Sequence, residues 1–163
     1  MTLALRSPEL VSNIVSVDNA PVDKILGREF PKYVRAMKQI QDAKVGRQSE
    51  ADKILQESEE SLPIRQFLLG NLYRPQGEDS MKFRVPLDIL GRSLDHLGDF
   101  PYKDPQAVRF EKPALFVRGT LSKYVPDEVL PLIGEFFPRF RIVDIEAGHW
   151  VISEQPEAFR QGE

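Results

Sequence analysis

The segment Ala147–Val151 contains a Gly-His pair and directly follows Phe140–Ile145, an apolar run typical of a buried strand. Imidazole titrates near neutral pH, so a histidine can take up a proton and return it within one catalytic cycle. Many α/β enzymes present such a histidine where a strand stops, at the carboxyl edge of a sheet. The chain has two histidines, and this pattern predicts that His149 is a catalytic base. A loop histidine hydrogen-bonded to the backbone is the alternative interpretation.

Asp18 is the second candidate, because it ends the β-branched segment Val11–Val17 and precedes the turn sequence Asn-Ala-Pro. The carboxyl ends of parallel strands meet at one edge of a sheet, where active sites collect. A carboxylate there can fix the tautomer of His149 and stabilise its protonated form. The alternative is a turn aspartate that bonds its own backbone. The other histidine, His96, lies in an amphipathic segment and is interpreted as a helix-surface or pocket-lining residue.

The sequence does not contain an obvious nucleophile for this pair. Serine hydrolases place theirs in a Gly-x-Ser-x-Gly turn between a strand and a helix, and none of the ten serines lies in that pattern. The segment Gly119–Lys123 lacks the closing glycine and follows a different strand. A glycine-rich oxyanion loop is also missing from the sequence. We therefore expect that the chain as written does not perform this chemistry by itself.

Composition argues against several other classes of function. The 163 residues carry a net charge of -3, no cysteine and two widely separated histidines. Thiolate catalysis and disulfides are excluded, and a histidine-rich metal site or a basic nucleic-acid surface is disfavoured. No apolar run approaches the roughly 20 residues that span a bilayer, and the first residues match neither a signal peptide nor a transit peptide. We expect no metal, no organic cofactor, no nucleic-acid partner and no transmembrane segment. The oligomeric state is not indicated.

Hydrophobic patterning predicts three strands interrupted by a long helical insertion. The order strand, helices, strand, helix, strand is typical of a parallel α/β sheet. We predict one partial domain, with residues 1–21 and 106–163 as its core and residues 22–105 as an all-helical insertion. The predicted strands are Val11–Val17, Pro113–Gly119 and Phe140–Ile145. The predicted helices are Met1–Leu5, Pro31–Ile40, Ser49–Glu60, Leu62–Leu72, Leu87–Leu97, Glu128–Phe137 and a last one from Pro156.

Eight short motifs occur in the same order as in a known family. The shared order is a more specific signal than any single motif. They are Met1–Glu9, Val17–Val22, Arg65–Leu72, Phe83–Asp88, Pro113–Phe116, Ser122–Val125, Phe137–Pro138 and Ala147–Trp150. Together they resemble the carboxyl-terminal portion of serine α/β-hydrolases grouped around mammalian α/β-hydrolase domain-containing protein 11. Bacterial esterases of the YbfF type and fungal mitochondrial proteins belong to the same group.

The resemblance implies a partial α/β-hydrolase fold, made of its last three parallel strands, flanking helices and a helical lid. The N-terminal half of the fold, with the nucleophile elbow and the oxyanion loop, would lie upstream of Met1. Most α/β-hydrolases place the triad acid in a Gly-x-x-Asp-x-x-Val-Pro segment, where this chain has Ser122. The resemblance therefore assigns the acid to Asp18, which would orient His149, with Asp127 as the alternative acid.

The activity that the resemblance implies is serine-dependent cleavage of carboxylic esters, thioesters or acyl lipids. Fungal relatives include enzymes that pass an acetyl group to ethanol, so both hydrolysis and alcoholysis remain open. Without its nucleophile the chain would be inactive, and a non-catalytic binding module or a truncated fragment is the alternative. A mitochondrial location follows from the eukaryotic members of the group, and a cytoplasmic one is the alternative. The residues implied to line the substrate pocket are Phe67, Leu68, Tyr124 and Trp150.

Overall fold

The computed structural model describes residues 1–23 and 29–162. Residues 24–28, which fall inside the predicted insertion, and residue 163 lie outside this described part. The chain divides into two compact units. The described residues of the first unit are 1–23 and 100–162, and those of the second unit are 29–99.

The predicted helices and strands occur in the predicted order. The structure adds two short strands inside the insertion, a short helix after His149, and two 3-10 helices at Pro8–Leu10 and Asp127–Val129. The α-helices are α1 (Thr2–Arg6), α2 (Glu29–Asp42), α3 (Gln48–Gln56), α4 (Leu62–Leu69), α5 (Leu87–Leu97), α6 (Leu130–Phe136), α7 (Val151–Glu154) and α8 (Pro156–Gly162). The strands are β1 (Ile14–Val17), β2 (Leu72–Tyr73), β3 (Lys82–Phe83), β4 (Ala114–Gly119) and β5 (Phe140–Ile145).

The first unit is built on a parallel three-stranded sheet in the order β1-β4-β5. At the carboxyl end, Val17 of β1 pairs with Val117, and Gly119 of β4 pairs with Ile145 of β5. Parallel pairing brings the three strand ends to the same edge of the sheet. The loops that contain Asp18 and His149 therefore both leave the sheet at this edge, beside the end of β4.

The central strand β4 is buried on both faces, which explains its continuous apolar sequence. Adjacent residues of a strand point to opposite faces. Phe116 packs edge-to-face against Phe137, with ring centroids 5.4 Å apart, in an aromatic cluster on one face. Val117 joins a smaller aliphatic cluster that includes Ile145 and Val151. This packing on both faces fixes the position of the end of β4.

The second unit consists of helices α2 to α5 and a short antiparallel ribbon formed by β2 and β3. Its core contains Met37, Ile40 and Leu55, all buried. The corner between α3 and α4 is held by the buried Arg65, which donates to Asp52 Oδ1 at 2.7 Å and to the backbone carbonyls of residues 59 and 60. Hydrogen bonding to this guanidinium lowers the pKa of the Asp52 carboxyl.

The insertion is not all-helical, and this part of the sequence-based prediction is wrong. The helix predicted to reach Leu72 ends at Leu69, and the chain then forms the β2–β3 ribbon, in which Leu72 pairs with Phe83. Two-residue strands are too short to show the alternation that identifies a strand in a sequence. The backbone N–H of Arg84 donates to the Asn71 carbonyl and extends this ribbon pairing.

The first strand is shorter than predicted, because it begins at Ile14 rather than at Val11. The N–H of Val11 donates to the Pro8 carbonyl and closes the 3-10 turn, so Val11 is not available for the sheet. The N–H of Ile14 donates to the Pro113 carbonyl and starts the pairing with β4.

Candidate active site

Asp18 has left-handed backbone geometry, with φ of +46°, directly after β1. Aspartate is one of the few residue types that tolerate this region, because its short polar side chain can bond locally. Its N–H donates to the Val117 carbonyl at 2.7 Å, so it remains tied to β4. The side chain is fully buried, and its Oδ1 accepts the N–H of Gly119 at 3.1 Å.

The loop after β5 crosses the end of β4 at very close range. The N–H of Leu121 donates to the Ala147 carbonyl at 3.0 Å, which ties the loops after β4 and β5 together. A Cβ at Gly119 would lie 2.2 Å from the Gly148 carbonyl oxygen and 2.6 Å from that of Ala147. Only a glycine fits beneath this crossing. The crossing fixes the backbone just ahead of His149.

Asp18 and His149 are brought together as the sequence predicted. The Nδ1 atom of His149 lies 2.7 Å from Asp18 Oδ2, and the imidazole side chain is 45% exposed while the carboxylate is 0% exposed. An ionised carboxylate can only accept, so Nδ1 carries the proton and Nε2 keeps its lone pair. Within residues 1–23 and 29–162, Nε2 has no hydrogen-bond partner. This geometry is that of a base that is oriented by an acid.

The loop after β4 contributes two further contacts to this pair. Ser122 donates its hydroxyl proton to Asp18 Oδ2 at 2.6 Å and accepts the N–H of Tyr124 at 3.1 Å. The Tyr124 ring stacks on the His149 imidazole, with centroids 4.0 Å apart and planes 18° apart. The predicted pocket residue Tyr124 therefore lies at the site. The contact from Ser122 to Asp18 was not predicted. The usable signal was that Ser122 stands at the aspartate position of the Gly-x-x-Asp-x-x-Val-Pro pattern.

Asp127, the alternative acid, is not in contact with His149. Its carboxylate pairs with Arg118 on β4, and its side chain is 83% exposed. The same guanidinium donates to Asp144 Oδ1 at 2.8 Å and to Oδ2 at 2.7 Å. Hydrogen bonding to Arg118 lowers the pKa of the Asp144 carboxyl. Of the two candidate acids, Asp18 is therefore the one that contacts the imidazole.

The other predicted pocket residues lie in two places. Trp150 directly follows His149, and its N–H donates to Glu154 Oε1 at 3.2 Å. Phe67, which is 65% exposed, and Leu68, which packs on the core of the second unit, are neighbours on α4. The assignment of Phe67 and Leu68 to a substrate pocket stays a prediction. His96 lies exposed on α5, as expected of a helix-surface residue.

Two classes of site are not found in the described part of the chain. Residues 1–23 and 29–162 contain no group of three histidine, cysteine or acidic side chains arranged to hold a metal ion. None of their helices has the length and apolar character needed to cross a membrane.

Comparison with known proteins places the sheet and the insertion in a known class. No protein-family model matches the chain. The structure of a marine microorganism esterase superposes with a TM-score of 0.85 at 26% identity, covering 97% of this chain and 61% of the esterase. This match and the parallel three-stranded sheet with flanking helices show a partial α/β-hydrolase fold, as the sequence predicted.

Within this class the chain is homologous to the α/β-hydrolase domain-containing protein 11 group. It is 36% identical over 162 residues to an abhydrolase domain-containing protein of Schizosaccharomyces pombe, covering 99% of this chain and 60% of that protein. It is 36% identical over 165 residues to the sn-1-specific diacylglycerol lipase ABHD11 of Xenopus laevis (98% and 51%). A probable alcohol acetyltransferase of Saccharomyces cerevisiae is 36% identical over 173 residues (96% and 49%). The chain thus spans about half to three fifths of the length of these relatives.

Proposed function

We propose that Asp18 and His149 are the orienting acid and the general base of a serine-type acyl-ester site. The observation that carries this proposal is the 2.7 Å contact between the buried carboxylate and Nδ1 of a half-exposed imidazole. Burial of a charged group is unfavourable unless donors compensate it. Asp18 receives three donors, of which one is the imidazole, and these bonds compensate its burial and favour the Nδ1–H tautomer of the ring.

The chemistry open to this pair is the activation of a hydroxyl nucleophile. Nε2 would take the proton from the hydroxyl as it attacks the acyl carbon, and the imidazolium so formed would be stabilised by Asp18. His149 would then return the proton to the departing alcohol or thiol. A second cycle, with water or an alcohol as the acceptor, would release the acyl group.

The nucleophile in this proposal is not one of the serines of this chain. Ser122 is the serine that touches the acid, and its hydroxyl proton is already donated to Asp18, on the Nδ1 side of the imidazole. We therefore propose that the whole protein supplies the serine and the oxyanion hole from residues that this sequence does not contain. By itself the chain would contribute the acid and the base, and it would not turn over esters.

The proposed substrates are carboxylic esters, thioesters or acyl lipids. The relatives are named as an esterase, a diacylglycerol lipase and an alcohol acetyltransferase, and each name describes chemistry at an acyl ester. Both water and an alcohol are retained as acyl acceptors, because the acid–base pair serves either one. A mitochondrial location is part of the proposal and rests on the eukaryotic members of the group.

A fusion protein tests the proposal. The part of the Schizosaccharomyces pombe relative that has no counterpart in this chain is joined ahead of residue 1, and the product is compared with the chain alone. We expect the fusion protein to react with a fluorophosphonate probe and to hydrolyse p-nitrophenyl acetate, and the chain alone to do neither. Substitution D18N in the fusion protein should lower kcat by about 10⁴-fold, as loss of the correct tautomer does in serine proteases.

The two histidines provide a matched pair of variants. His149→Gln in the fusion protein should abolish turnover, whereas His96→Gln, the same change on the exposed face of α5, should leave it unchanged. Full activity of the His149→Gln fusion protein would overturn the assignment of the base. Labelling of any serine in the chain alone would overturn the assignment of the nucleophile to another part of the protein. A folded fusion protein that is not labelled would favour a non-catalytic binding module.

A further inference from the structure

We propose that Glu154, at the end of α7, is a positioning residue for His149. Its Oε2 atom accepts the N–H of Gly148 at 2.7 Å, and its Oε1 atom accepts the N–H of Trp150 at 3.2 Å. These two amides lie on either side of His149 in the chain. A single carboxylate therefore bridges the backbone that carries the imidazole.

The loop after β5 needs such an acceptor because its Gly148 and Trp150 amides are not paired within the sheet. Trp150 is the N-cap of α7, and the first N–H groups of a helix have no partner within the helix. The backbone N–H of Glu154 donates to the Trp150 carbonyl at 2.9 Å, while its carboxylate accepts from the Trp150 N–H. The two residues are thus linked in both directions, by an ordinary i→i−4 helical bond and by a carboxylate that caps the N-cap amide. The additional bond to Gly148 extends this cap across His149.

The glycine ahead of His149 shows how closely the Glu154 carboxylate approaches this loop. A Cβ on Gly148 would lie 3.0 Å from Oε1 and 3.2 Å from Oε2 of Glu154, closer than ordinary packing allows. On its other side, the Gly148 carbonyl oxygen lies where a Cβ of Gly119 would fall. Gly148 is therefore held between the end of β4 and the Glu154 carboxylate. A Cβ at this position would press on the Glu154 carboxylate, which would have to shift away from the Gly148 amide.

The consequence is a division of tasks between two carboxylates. Asp18 holds the imidazole through Nδ1, whereas Glu154 touches only backbone amides and acts on the ring through the peptide. The catalytic meaning of Glu154 rests on the proposed function. The effect of Glu154 on the geometry of His149 does not rest on the proposed function. It can be measured in the chain without any turnover.

The test uses NMR of the uniformly ¹⁵N-labelled full chain. With two histidines in the sequence, both imidazoles can be assigned, and His96 serves as an internal reference. Glu154→Ala should accelerate hydrogen exchange at the Gly148 and Trp150 amides by about tenfold, the loss expected for one hydrogen bond. The imidazole ¹⁵N shifts of His149 should move from the Nδ1–H tautomer toward a tautomer mixture, with those of His96 unchanged.

A graded substitution and a matched control separate positioning from general destabilisation. Glu154→Gln retains one acceptor oxygen and should give an intermediate effect on both amides. Glu157→Gln makes the same change on α8, where the exposed carboxylate pairs with Arg160, and should change neither readout. An unchanged His149 tautomer in a folded Glu154→Ala chain would overturn the proposal. So would exchange that accelerates equally throughout β4, because that result indicates loss of global stability.

The fusion protein supplies the second readout. There, Glu154→Ala should lower kcat with little change in KM, because the imidazole is misplaced while the substrate pocket is retained. Absence of turnover in the parent fusion protein would count against the proposed function alone. The NMR result on the full chain would still decide the role of Glu154.

Discussion

The Ser122 hydroxyl lies 2.6 Å from Asp18 Oδ2, the same oxygen that accepts from His149 Nδ1. The second oxygen of Asp18 accepts the N–H of Gly119. Together these donors replace the water that the fully buried carboxylate has lost. The Gly-x-x-Ser segment after β4 thus supplies a hydroxyl that supports the carboxylate at the end of the neighbouring strand β1.

Replacing Ser122 by alanine should therefore destabilise the fold. The change removes a donor from a buried charge, which is a costlier loss than that of a bond between neutral groups. We expect the free energy of unfolding to fall by about 1–3 kcal/mol. Urea denaturation followed by circular dichroism measures the change.

Ser153→Ala is the matched control for this prediction. Ser153 is exposed on α7, and its hydroxyl donates to the neutral Trp150 carbonyl at 3.1 Å. Its substitution should change the free energy of unfolding by less than about 0.5 kcal/mol, as is usual for exposed positions. Equal effects of the two substitutions would show that the bond to Asp18 stabilises the fold no more than an exposed bond to a neutral carbonyl does.

Much of the sheet could be predicted from the sequence, because its strands are buried and carry continuous apolar runs. The strand Phe140–Ile145 and the helix Leu87–Leu97 have the predicted bounds. The rule that parallel strands end at one edge suggested that Asp18 meets His149, and the family resemblance favoured this over a turn aspartate. These features depend on local pattern and general topology, which a single sequence contains.

The remaining features depend on contacts that no local pattern encodes. The bond from Ser122 to Asp18 joins residues 104 positions apart. Glu154 was also missed. Gly148 ahead of the histidine was the usable signal, because a Cβ there would meet the Glu154 carboxylate. The β2–β3 ribbon escaped prediction because its strands have two residues each.

The left-handed backbone of Asp18 leads to a second prediction. An L-residue without a locally bonding side chain pays about 1–2 kcal/mol in this region, whereas glycine does not. Asp18→Ala and Asp18→Gly both remove the carboxylate. The difference between their free energies of unfolding therefore reports the contribution of the backbone conformation. Because strain should outweigh the greater flexibility of unfolded glycine, we expect Asp18→Gly to be at least as stable as Asp18→Ala.

The same pair of substitutions at Asn13 provides the control. Asn13 is exposed and is not among the described residues with positive φ. There glycine should be the less stable of the two by about 0.5–1 kcal/mol, the usual cost of its flexibility. Thermal unfolding of the four variants gives the comparison. A glycine that is less stable than alanine at both positions would contradict the strained geometry of Asp18.

The Arg118–Asp144 pair predicts how stability depends on pH. Hydrogen bonding to Arg118 lowers the pKa of the folded Asp144 carboxyl below its ordinary value of 3.8. At pH values between the lowered pKa and 3.8, the unfolded chain binds more protons than the folded one, so stability falls as the pH falls. The contribution is therefore fully present above pH 3.8 and is lost as the pH passes below the lowered pKa.

Asp144→Asn should consequently be less stable than the parent at pH 7, and the difference should shrink as the pH is lowered below 3.8. Half of the Asp144 side chain is exposed, so solvent screening keeps the effect modest. Asp95→Asn makes the same charge change at an exposed position on α5 that has no ion pair among the described residues. Urea unfolding of the three proteins from pH 7 to pH 3 should show a pH-dependent difference for Asp144→Asn alone. A constant difference across that range would mean that the bond to Arg118 does not perturb the carboxyl, and that Asp144 contributes through packing instead.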